Sequence, residues 1–172
     1  MIWFSGCVAG QNMPNSSKVS DKLEIPQSIN FAGKTFHKRY EDAEFAEYYL
    51  QGNPDFAWQE LITISYINGN DLGLWANLLD KNLKNENVKY ELYTKANELL
   101  EVELYYPDKT NTNYNSFEAN VALTSTKECG MATIRYAKNF DESQNSQKLW
   151  KKVLGNATSV AKNFPKIECK NK

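Results

Sequence analysis

Ala57-Trp58-Gln59-Glu60-Leu61-Ile62-Thr63-Ile64-Ser65-Tyr66-Ile67 decides the fold. The run is rich in β-branched and aromatic residues, the composition of a strand buried on at least one face. Asn68-Gly69-Asn70-Asp71 breaks it, and Leu72, Trp75, Leu78, Leu79 and Leu83 then recur at helical spacing. A helix is expected over 71–84, capped by Asn70 or Asp71, with Lys81 and Lys84 near its C-terminus where cations suit the helix dipole.

Working outward, the 35–40, 45–50, 88–94, 99–106, 117–124 and 130–136 segments read as further strands. Residues 23–29 read as an irregular edge segment around Pro26, and 31–34 as a turn. In 117–124, Phe117, Ala119, Val121 and Leu123 share a face; in 130–136, Met131, Thr133 and Arg135 oppose Ala132, Ile134 and Tyr136. Leu149, Trp150, Val153, Leu154, Ala157, Val160, Ala161 and Phe164 mark a second helix, started by Asp141, Glu142 and Ser143 and stopped before Pro165. The expected architecture is α+β: a mostly antiparallel sheet of about six strands with two amphipathic helices packed on one face. Trp58, Trp75 and Trp150 are expected to anchor the core.

The chain has 172 residues, 41% hydrophobic and 13% aromatic, which fits one folded domain plus a tail. Residues 1–22 read as a truncated signal with a flexible tether, and 23–172 as a single domain. Twenty basic against 21 acidic residues leave a charge of -1. That balance gives no electrostatic reason to expect nucleic acid. No apolar run approaches the length of a membrane-spanning helix.

Cys7 follows Met1-Ile2-Trp3-Phe4-Ser5-Gly6, and small residues directly before a cysteine resemble the lipobox of bacterial lipoproteins. None of the preceding residues is basic, so the lipobox reading expects a start codon further upstream. The polar, turn-prone 9–21 segment would be the tether between anchor and body. Val8 after the cysteine, by resemblance to sorting signals, favours the outer membrane. In an oxidising compartment Cys129 and Cys169 can pair. Closing a loop of roughly 40 residues this way would stabilise the fold by roughly 3–4 kcal/mol. The alternative is a cytoplasmic α+β protein with three free thiols.

Chemistry is sparse. His37 is the single histidine, and neighbouring Lys38 and Arg39 offer it no orienting carboxylate. No metal-ligand spacing and no phosphate-binding glycine loop occur, and no cofactor is expected. Glu101 and Glu103 share a strand face, and Glu60 and Glu118 lie on other strands. Such carboxylates could serve an envelope hydrolase by general acid–base catalysis. Tyr48, Tyr90, Tyr105 and Tyr136 lie in strands and could form a binding face for an envelope protein or a small ligand.

Glu47-Tyr48-Tyr49, the Gly52-Asn53-Pro54 turn and Trp58-x-x-Leu61-Ile62-Thr63-Ile64 together resemble a group of small exported bacterial proteins of unknown function. Members continue with a helix and late strands, one ending in a stretch like Ile134-Arg135-Tyr136-Ala137-Lys138. The resemblance covers about 45–137. It implies secretion across the inner membrane and transfers no active-site residue. The first expectation is therefore a non-enzymatic envelope lipoprotein or periplasmic domain that binds another envelope protein or a small ligand.

Overall fold

Two-residue turns and strict alternation build the sheet. The computed structural model describes residues 17–52, 58–108, 110 and 115–170. Its strands are β1 (Ser28–Phe31), β2 (Lys34–Glu41), β3 (Phe45–Leu50), β4 (Glu60–Ile67), β5 (Val88–Lys95), β6 (Glu98–Tyr105), β7 (Ser116–Lys127) and β8 (Gly130–Asp141). Helix α1 (Leu72–Leu83) lies between β4 and β5, and α2 (Ser146–Lys162) follows β8. All eight strands form one antiparallel sheet in the order β1-β2-β3-β4-β8-β7-β6-β5.

The sheet thus has eight strands rather than about six. Seven of them match segments read as strands; the eighth is the edge strand β1, hidden in the sequence by its brevity and by Pro26. Ala32 and Gly33, at φ +50 and +74, are the whole turn to β2, so strand structure begins immediately on either side. The folded body also starts before residue 23. A 3-10 turn, Val19–Asp21, places Val19 fully buried in the core and hydrogen-bonds its amide to the Asp42 carbonyl.

Helix α1 starts at Asp71, whose carboxylate accepts from the Leu74 amide. Helix α2 starts later than its acidic run suggests, because Asp141 still ends β8 and Asn145 is the cap. The helices lie on opposite faces of the sheet, which overturns the expectation of a shared one. On β6, Leu99 packs with Leu72, Trp75, Ala76 and Leu79 of α1, whereas Val102 and Leu104 pack with Leu149, Trp150 and Ala157 of α2. Residues 99 and 102 differ by an odd number, so they point to opposite sides.

The α2 face carries the main apolar core. Ile29, Phe31, Phe36, Tyr48, Ile62, Ile64 and Ile134 form one part, Val102, Leu104, Ala119 and Val121 the other, and Val160 of α2 and Phe164 just past its end touch both. Trp58, Trp75 and Trp150 anchor three separate clusters. The chain's last described segment returns beside its first. Leu23 bridges to Cys169, and the Glu24 and Lys170 amides donate to the Glu168 and Lys22 carbonyls. Cys129, just before β8, is disulfide-bonded to Cys169, with 6.0 Å between their Cα atoms.

Candidate functional site: a buried carboxylate–arginine network

The sheet register sets polar residues in rows across the α1 face. One row runs Leu92, Glu101, Ala122, Arg135, Thr63, Glu47 across β5, β6, β7, β8, β4 and β3; the next runs Tyr90, Glu103, Asn120, Ala137, Leu61, Tyr49. Glu101 and Arg135 are two strands apart, about 9.6 Å at ordinary strand spacing. Ala122 between them is too small to block, so the guanidinium reaches over it. Its Nη2 donates to Glu101 Oε1 at 2.9 Å and its Nη1 to Glu103 Oε2 at 3.3 Å. From β7, the Asn120 amide nitrogen donates to Glu103 Oε2 at 3.0 Å and to Glu118 Oε1 at 3.1 Å.

Both central carboxylates are out of water: Glu101 is 2% exposed and Glu103 1%. Burial pushes Glu101 up to about 8, against the pull of Arg135 and with a further push from Glu103. Burial would raise Glu103 as well, but Arg135, a hydrogen bond from protonated Glu101 and the Asn120 amide hold it below its ordinary value. The opposite shifts give the pair one shared proton at neutral pH, favoured on Glu101, and one negative charge facing one guanidinium. Burial also raises Glu118 and Tyr105, and it raises Glu47 against the hydrogen bond from the Tyr49 hydroxyl. Asn120 Oδ1 is buried without a hydrogen-bond partner, one of two such side-chain atoms among the described residues; the other is Trp75 Nε1.

Glu101 and Glu103 do share a face, and they are brought to Glu118 through Asn120. Glu60 lies on the other face, where Lys34 and Lys138 hold its Oε1 at 2.8 and 2.9 Å. The four tyrosines do not form one platform. Tyr48 and Tyr136 fall on the α2 face, Tyr48 fully buried with its hydroxyl on the Pro26 carbonyl, and Tyr136 against Phe31 and Phe36. Tyr90 and Tyr105 fall on the α1 face, where the Tyr90 hydroxyl donates to Asp80 of α1. His37 is exposed on β2. Cys7 lies outside the described residues. Arg135 and Asn120 are the network members that sequence reading missed. Their signal was present: both alternate with the apolar residues facing α2.

Chemically the network combines a neutral acid and a carboxylate, both almost fully buried, with a guanidinium that keeps 32% of its side chain exposed. Among the described residues no group of three or more His, Cys, Asp or Glu side chains is arranged to hold a metal ion. No helix among them is long and apolar enough to cross a membrane. The model of an uncharacterised bacterial family matches residues 23–169, and the chain belongs to that family. No curated protein matches it.

Proposed function

From membership in that bacterial family and the Cys129–Cys169 bridge, we propose that the chain is an exported envelope protein. It is anchored through a lipid on Cys7 to the outer membrane and acts as a non-enzymatic binding domain for another envelope protein or a small ligand. The disulfide carries this reading, because such bonds persist in oxidising compartments such as the bacterial periplasm. The lipobox-like Phe4-Ser5-Gly6-Cys7 and the polar stretch after it agree with an anchor and a tether.

The burial of Glu101 and Glu103 supports a binding rather than a catalytic role. Arg135 holds one oxygen of each carboxyl, Asn120 donates to that same oxygen of Glu103, and both Glu side chains are almost wholly out of water, which leaves a substrate little to approach. One observation favours a second reading, an envelope hydrolase: a carboxyl raised to about 8 beside an ionised partner is what acid–base catalysis uses.

The test is an intact mass, without reductant, of the protein from its native cells. A chain beginning at Cys7 with added acyl mass, two hydrogens short, supports anchor and bridge together. An unprocessed chain with three free thiols overturns the export reading. Hydrolase activity on envelope extracts that Glu101→Gln abolishes, with the fold intact, would favour the catalytic reading.

A further inference from the structure

Strand β5 ends the sheet, and among the described residues nothing pairs with its outer edge. The Tyr106 amide donates to the Asn87 carbonyl, which fixes the ladder phase. Residues 89, 91, 93 and 95 direct their backbone groups to β6, so Val88, Tyr90, Leu92 and Thr94 direct theirs outward. Side chains 89, 91, 93 and 95 share the α2 face: Lys89, Glu91, Tyr93 and Lys95, all exposed. Tyr93 is 46% exposed, one of four large exposed hydrophobic side chains among the described residues.

We propose that β5 pairs antiparallel with β5 of a second copy about a two-fold axis at Tyr93, joining two sheets into one. Outward-facing residues must meet outward-facing residues, which restricts the symmetric registers. An axis at Glu91 sets Glu91 against Glu91, and an axis at Leu92 sets Lys89 against Lys95; both oppose like charges. An axis at Tyr93 sets Glu91 against Lys95 twice, pairs Leu92 with Thr94 by backbone hydrogen bonds, and buries Tyr93 against its copy. An axis at Tyr90 also opposes Lys89 and Glu91. That register overlaps as much of the strand as the Tyr93 register does, but it leaves the exposed Tyr93 outside the symmetric centre. Charge complementarity and the exposed aromatic therefore select a second copy at Tyr93. The inference is independent of export and of the Cys7 anchor.

The test uses the full chain carrying Cys7→Ser, so that an introduced cysteine is the one free thiol. Facing residues at the axis stand about 4.5 Å apart between Cα atoms, within disulfide range. Tyr93→Cys should cross-link to a dimer under a copper–phenanthroline oxidant and revert with reductant, whereas Tyr90→Cys and Lys89→Cys should not. In sedimentation velocity, Glu91→Lys should weaken the dimer at least about tenfold. Glu91→Lys with Lys95→Glu should restore it. A parent chain that stays monomeric at the highest soluble concentration overturns the proposal. So does cross-linking through Tyr90→Cys instead, or a charge-swapped double variant that fails to recover.

Discussion

Replacing Glu101 with glutamine should leave the protein as stable as before at pH 7, or more so, although it changes a carboxyl that Arg135 holds at 2.9 Å. In the unfolded chain this carboxyl titrates near 4.5; in the fold it titrates near 8. The sign follows from linkage: the folded state holds a proton that the unfolded state releases, so stability falls as pH rises from about 4.5 to about 8. At pH 7 the interval is about 2.5 pH units at about 1.4 kcal/mol each, a cost of roughly 3–4 kcal/mol. Glutamine mimics the protonated acid. Its carbonyl oxygen can accept from Arg135 and its amide can donate to Glu103, as the shared proton does, but it has no proton to lose.

Glu101→Gln should therefore gain up to roughly 3–4 kcal/mol at pH 7 and flatten the decline between pH 5 and 8. The double variant Glu101→Gln/Glu103→Gln removes both carboxylates from Arg135 and should cost about 3–5 kcal/mol. Urea unfolding followed by tryptophan fluorescence, under non-reducing conditions from pH 5 to 9, reads all three proteins. A Glu101→Gln variant more than about 2 kcal/mol less stable than its parent, or one that keeps the parental pH slope, would refute the shared-proton arrangement.

Arg135→Met should cost about 3–5 kcal/mol at pH 7, with part recovered at lower pH as Glu103 takes up a proton; denaturation at two pH values measures both. Ala122→Leu should cost more than the about 1–3 kcal/mol of ordinary overpacking, because the larger side chain fills the gap Arg135 crosses to reach Glu101; the thermal midpoint reports it. Cys169→Ser should lower stability by about 4 kcal/mol, the chain-entropy value for a closed loop of 40 residues. In that variant the Glu24 and Lys170 amides should lose hydrogen-exchange protection before the sheet does. Gly130→Ala places a Cβ 2.8 Å from Tyr66 Cε2 and 2.9 Å from the Ile67 carbonyl oxygen at φ +140. It should cost at least about 2 kcal/mol. Adding Tyr66→Phe should not restore stability, since the backbone carbonyl remains in the way.

Period-two alternation made the strands legible, and with them the shared face of Glu101 and Glu103. It also placed Arg135 away from Ile134 and Tyr136, which is where the structure has it. Alternation cannot say which face of one strand meets which face of the next. That depends on register, set by turns such as Ala32-Gly33 and by the order that puts β7 between β6 and β8. The tyrosines scattered for this reason: Tyr48 and Tyr90 alternate alike within their own strands yet stand on opposite sides of the sheet. The polar residues misled by a second route. A polar strand face ordinarily means water, the setting that a face carrying Glu101, Glu103, Asn120 and Thr124 would suggest. All four are buried, and α1 packs against the same face. Carboxylates buried on such a face have to be neutralised from within the sheet. One arginine spanning a small residue, one retained proton and one amide donor are the means, and each sits in a different strand from the charge it answers or borrows its neighbour's proton.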